Sequence, residues 1–263
     1  MIKPCRVALA LLLAGLAGEA GAQTMLDQEQ RLIEIHSLLV ALPALEAPGA
    51  LAPLQGRFGV EVITIPIIDG TTGTKTQITA SDRTRAFPRL RAGIGLPLGG
   101  AWRAFAGLAW IPPVELNQAS SSMIGLEAGA AWTHGALSAG LRLHGEWADS
   151  KSPVTDPTTR DQLITRIGGA DLSAGWRFEL GTVVLTPYAS LGVARVDGTF
   201  TVTSDAVQLT SSTTNLGLSA GARLQAFEQL ELVAELVAWP NVLVHPNFAL
   251  SWVPRFRKGE PAP

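Results

Sequence analysis

From Arg57 onward, apolar residues alternate with small or charged ones at a period of two, the spacing of strands whose two faces meet different surroundings. Leu90, Ala92, Ile94 and Leu96 alternate with Arg89, Arg91, Gly93 and Gly95. Trp102 to Trp110, Ile124 to Trp132 and Leu137 to Trp147 repeat this, with Arg103, Glu127, Arg142, His144 and Glu146 on the second face. Ala170 to Phe178, Val183 to Val193, Leu216 to Leu224, Leu230 to Leu236 and Phe248 to Phe256 follow, with Asp171, Arg177, Arg223, Glu231 and Glu235 on that face. Adding Phe58, Val60 and Val62, the pattern predicts about ten strands. Parity is lost over 163–169, which predicts a bulge.

The connections predicted between these strands alternate in length. Long ones, rich in Thr, Ser, Asp and Pro, fall at 68–87, 112–121, 148–162, 197–214 and 240–246. Short ones fall at Gly99-Gly100, His134-Gly135, Gly181 and 226–229. Short turns at one end and long loops at the other is the layout of a membrane barrel, and an even strand count puts both termini at the short-turn, periplasmic side, with the loops extracellular.

Ahead of the strands the period changes. Leu32, Ile35, Leu39 and Leu42 recur at spacings of three and four, which predicts a helix over 25–42. Pro43 ends it, and Ala44 to Gln55, with Pro48, Gly49 and Pro53, reads as a linker. Residues 23–56 are thus expected to form a periplasmic helix and linker. Its apolar face needs cover, either from the barrel mouth or from a periplasmic protein docking on 25–42.

The first residues read as a secretory leader: Lys3 and Arg6, then the apolar run Val7 to Leu16, then Ala20-Gly21-Ala22. Cleavage there removes residues 1–22, including Cys5, the sole cysteine, and with it any thiol or disulfide chemistry. A net charge of −2 argues against nucleic acid as a partner. Apolar residues make up 47% of the chain and charged ones 16%, yet no 20-residue apolar run follows the leader. The apolar content therefore lies in short segments, of a soluble core or of membrane strands.

Three features favour membrane strands. Tryptophans sit near the ends of the apolar face: Trp102, Trp110, Trp132, Trp147 and Trp176. Between Trp102 and Trp110 the strand would climb roughly 20 Å, close to the height of an apolar band between aromatic girdles. The second face is both small and charged, which neither a soluble core nor a soluble exterior would carry. The final run, Phe248-x-Leu250-x-Trp252-x-Pro254-x-Phe256, resembles the aromatic-ended assembly signal of outer-membrane barrels, departing from it by the tail 257–263. Residues 57–256 as a whole resemble the small outer-membrane barrels of eight to ten strands. The resemblance implies an all-β, antiparallel transmembrane barrel in the outer membrane, with lipid and the barrel-assembly machinery, met through the C-terminal strand, as partners. Trp102, Trp110, Trp132, Trp147, Trp176, Trp252 and Phe256 are its expected interface aromatics.

No chemistry-bearing motif stands out. Phosphate-binding loops, H-E-x-x-H and G-x-S-x-G are absent. The four histidines are scattered, so neither a metal nor a cofactor is expected. The acids Asp149, Asp156, Asp161, Asp197 and Asp205 have no spacing that matches the omptin proteases, which are ten-stranded barrels too. What remains is the inward charge set: Arg89, Arg91, Arg103, Arg142, Arg177 and Arg223 against Glu61, Glu127, Glu146, Asp171, Glu231 and Glu235. It is expected to fill the lumen as paired charges rather than to line a channel, because a barrel this narrow has little bore left. The expected function is a non-enzymatic scaffold barrel of a cell-envelope complex. Its layout resembles that of small barrels in the surface-motility complexes of gliding bacteria; the alternative is a small-solute channel.

Overall fold

The computed structural model of the chain describes residues 25–44, 48–49, 51–64, 86–116, 119–152, 158–204, 206–227 and 229–255. The strands are β1 (Gly56–Thr64), β2 (Ala86–Gly99), β3 (Trp102–Leu116), β4 (Ala119–His134), β5 (Leu137–Ser152), β6 (Asp161–Trp176), β7 (Phe178–Leu180), β8 (Val183–Val202), β9 (Val207–Ala226), β10 (Leu230–Trp239) and β11 (Leu243–Trp252). A break at Arg177 separates β7 from β6, and both pair with β8, so the two are one stave of a ten-stave barrel. All neighbours are antiparallel; β1 pairs with β11 and β6 with β8, which closes the sheet. Closure satisfies every stave's hydrogen-bonding edge, the requirement for strands in lipid.

Burial is inverted relative to a soluble domain. Arg89 and Glu61 are fully buried, whereas Leu126 and Leu172 are more than 60% exposed. A sheet with its charges inside and leucines outside is stable only where lipid covers the outer face. Two irregularities interrupt the ladders, at Pro97/Gly99 and at Ile111/Val114. The second spans Pro112-Pro113, which have no N–H to give to a ladder.

The predicted bulge at 163–169 does not form. β6 stays in register with β5 and β8 throughout. Leu163, Thr165 and Ile167 point inward and Arg166 outward, so the faces exchange chemistry without exchanging direction. Most of the predicted long connections are also shorter than expected. β3 and β4 are separated only by 117–118, β8 and β9 by 203–206, and β10 and β11 by 240–242. The Ser- and Thr-rich stretches read as loops are strand extensions: β8 and β9 each run for 20 residues. These β-branched and hydroxyl residues keep strand geometry above the apolar band.

The one described helix, α1 (Met25–Val40), does not lie outside the barrel as expected. It sits in the lumen, toward the long-loop end. Ile35, Leu38, Leu39 and Ala41 pack on the inward side chains Ile167, Ala194, Val196, Val237, Trp239 and Leu243. Leu42 packs with Ile63, Ala109, Ile111, Met123 and Ala148. Among the described side chains the apolar stripe Ile35, Leu38, Leu39 and Leu42 is therefore covered by the barrel's own inner wall. The predicted leader 1–22 and the tail 257–263 lie outside the described residues.

Candidate functional site

The site is the path of the N-terminal segment through the lumen. A Cβ on Gly198, near the long-loop end of β8, would meet Ile33. Ser37 Oγ lies 3.0 Å from Thr165 Oγ1 on β6. Leu42 reaches Gly125, and Gly49 reaches Thr133, one residue from the short turn that begins after His134. The chain thus descends from the long-loop end to the short-turn end, where β1 begins. At the bottom it joins the sheet: Leu54 N–H donates to Gly95 carbonyl oxygen and Gly95 N–H to Gln55 carbonyl oxygen, each at 2.9 Å. Gly95 is required there, because a Cβ would collide with the carbonyl of Ala52.

Arginines hold the descending strap. The last carbonyls of a helix have no partner within it, and its C-terminus favours positive charge. Here Arg89 Nη1 donates to the carbonyl of Val40 at 2.9 Å. Arg142 donates to the carbonyl of Leu42 from Nη2 at 2.7 Å and to that of Pro43 from Nη1 at 2.8 Å. Arg91 reaches the Pro43 carbonyl at 3.4 Å, and Arg103, partly buried, reaches that of Gly49 at 3.2 Å. The amide of Leu42 donates to Glu146 Oε1 at 3.2 Å.

Behind these contacts the wall charges are paired. Arg89 Nε donates to Glu61 Oε2 at 2.7 Å, with a second bond between the same side chains. Glu127 accepts from Arg91 at 2.7 Å and from Arg142 at 2.9 Å, and Arg142 also binds Asp171. Nearer the short turns, Glu231 is shared by Arg223 at 2.7 Å and Arg57 at 2.9 Å. Glu235 is buried opposite Asn247. Arg177 does not join them. It sits half-exposed at the break between β6 and β7, 3.3 Å from Glu179, because the strand has reached its rim there. Arg57 joins the set without having been expected in it, although it shares the inward parity of Gly59 and Glu61, the signal that would have found it.

His144 comes nearest to catalytic geometry, with Nδ1 2.6 Å from Glu146 and Nε2 3.5 Å from Asp171. Both ring nitrogens thus face carboxylates that themselves hold the strap or Arg142. Among the described residues no group of three His, Cys, Asp or Glu side chains could hold a metal. Two small cavities lie beside the strap, one lined by Leu51, Arg91 and Phe105, the other by Pro48, Arg142 and Asp171; each has room for about one water molecule.

On the outer face, Trp102 pairs with Trp132 and Leu137 with Trp176 across neighbouring strands. The rings of Trp252 and Phe58 are 6.1 Å apart. These mark the short-turn end of the apolar band. Trp110 and Trp147, paired with Ile124 between them, mark the other end. Phe256 lies outside the described residues.

The sequence model of the family described as "Outer membrane protein beta-barrel domain" matches residues 38–236. The chain belongs to that family. As an outer-membrane barrel it resembles several solved structures at low identity. The translocator domain of the autotransporter NalP from Neisseria meningitidis is 13% identical, with 87% of this chain and 95% of that one covered and a TM-score of 0.42. The P. putida toluene transporter TodX is 13% identical, covering 82% and 72%, at 0.34. LpxR from Salmonella typhimurium is 10% identical, covering 75% and 99%, at 0.37. No curated protein matches the chain.

Proposed function

We propose that this outer-membrane barrel is closed and non-enzymatic, and that it serves as a scaffold or anchor in a cell-envelope complex. The long-loop end faces the cell exterior in this reading and the short turns the periplasm. The observation that carries it is the occupied lumen: α1 packs on the inner wall of the long-loop half, the described strap residues 41–44, 48–49 and 51–55 run toward the short turns, and Arg89 and Arg142 bind the end of α1 and the strap to the wall. A transport barrel needs a continuous bore or a mobile plug, and a plug anchored by buried, ion-paired arginines supports neither. A complex for surface motility is one setting for such an anchor. Vesicles reconstituted with the pure barrel should take up small sugars no faster than empty vesicles, and affinity purification from gently solubilised membranes should recover a stable partner. Sugar uptake with no partner recovered would instead establish the small-solute channel.

A further inference from the structure

The short-turn mouth of the lumen holds an arginine whose charge no described carboxylate meets. Arg103 follows the girdle residue Trp102 on β3, and its one hydrogen bond among the described residues runs inward to the carbonyl of Gly49. The charges that act on it are those of Arg177 and Arg223, both like its own. Arg177 stands half-exposed at the rim, 3.3 Å from Glu179. Arg223 is buried and shares Glu231 with Arg57. Thr186 of β8 is the register partner of Arg223. It is 3% exposed, and its hydroxyl has no hydrogen-bond partner among the described residues. The described strap residues at this end, Pro48, Gly49, Leu51 and Ala52, lie against β2, β4 and β5. Arg177, Thr186 and Arg223 come from another arc of the wall, the β6–β7 break, β8 and β9.

We propose that Arg103, Arg177 and Arg223 form the docking site for an extended, carboxylate-rich segment of a periplasmic protein, the partner of the scaffold. The site rests on the function proposed above in placing the short turns in the periplasm. Like charges gathered at one mouth repel each other, and an entering anion relieves that repulsion. The three arginines stand at different depths. Arg177 is at the rim, and Arg103 is the second residue of β3. Arg223 lies three residues in from Ala226, the end of β9, about 7–8 Å deeper by strand rise and tilt. A compact anion meets one such level. Carboxylates two residues apart on an extended segment are about 6–7 Å apart and meet two. Guanidinium forks bind carboxylates through paired N–H bonds, and arginine clusters are a recurring means of recognising acidic segments. The hydroxyl of Thr186 adds a donor at the deep end.

The test uses the full-length barrel in a zwitterionic detergent at low salt, with a rhodamine-labelled peptide of alternating Glu and Gly, read by fluorescence anisotropy. The wild type should bind it about tenfold tighter than the same peptide with Gln in place of Glu, and added salt should weaken the binding. Arg103→Gln/Arg177→Gln should lose that preference. Arg177→Glu, which leaves the strap contact of Arg103 intact, should lose it too while keeping the wild-type shift on unheated gels, and Arg177→Lys should keep part of it. Arg166→Gln makes the same change of charge on the outer face and should bind as the wild type does. Equal binding of the two peptides, an unchanged Arg177→Glu variant or an equal loss in Arg166→Gln would overturn the proposal. So would displacement by millimolar inorganic phosphate but not by chloride of equal ionic strength, which would assign the site to a compact anion. A peptide that fails to bind, with a stable partner still recovered from membranes, removes this site and leaves the scaffold standing.

Discussion

Arg142, on the inner wall of β5, donates to the carbonyl oxygen of Pro43 at 2.8 Å across 99 residues of sequence. The same guanidinium binds Leu42, Glu127 and Asp171. One side chain therefore fastens the strap to the wall and neutralises two wall carboxylates. Arg142→Met keeps most of the volume but leaves Asp171 without its arginine. Stranding a buried charge costs about 3–5 kcal/mol. The variant should lose its compact form on unheated gels at a clearly lower temperature than wild type.

Arg89 and Arg142 together cap the carbonyls at the end of α1 and just beyond it. The double variant Arg89→Ala/Arg142→Ala should free the strap while the barrel still closes through its backbone ladders. In planar bilayers the wild type should be silent and this variant should show openings. Silence in both would mean that packing of Leu38, Leu39 and Leu42 alone keeps the lumen shut.

Gly95 lets the backbone at Ala52 approach the sheet. Gly95→Val should push the strap off β2 and make 41–55 sensitive to added protease. A Cβ at Gly168 would meet no atom within 4 Å, so Gly168→Ala should leave protease resistance at the wild-type level.

Ala189 faces outward near the middle of the uncharged outward run Val183 to Val193 of β8. Ala189→Arg should reduce assembly, since a cation at mid-bilayer costs about 2–4 kcal/mol in such barrels. Thr199→Arg, above Arg195 on the same face, should assemble normally. Membrane yield of folded protein measures both.

The staves from Leu90 to Trp147 are legible in the sequence because one face meets lipid along their whole length, so period two survives. Legibility ends where that condition stops. Above the band, Thr199, Ser211 and Thr213 continue as strand with no lipid to impose alternation, and their composition alone resembles a loop. At 163–169 the inner wall turns apolar to receive α1, so Leu163 and Ile167 point inward and mimic a parity slip. The stripe Ile35, Leu39, Leu42 is visible in the sequence, but its cover is not. The signal that would reveal it is its complement, the inward apolar set Ala194, Val196, Val237, Trp239 and Leu243 at one end of the barrel. The ion pairs of Arg89, Arg91 and Arg142 follow from parity, whereas their bonds to strap carbonyls involve no side chain on the strap and leave no mark in its sequence.

The contact between Ser37 and Thr165 tests the threaded lumen most directly. Both are buried, and their hydroxyl oxygens are 3.0 Å apart. Built with Cys5→Ser, the variant Ser37→Cys/Thr165→Cys carries the only two thiols of the chain. If the helix occupies the lumen, mild oxidation of the membrane-embedded protein should form an intramolecular disulfide in nearly every molecule, and a water-soluble maleimide should label neither thiol. Free labelling of residue 37 in a folded, heat-modifiable barrel, with no disulfide formed, would contradict the account.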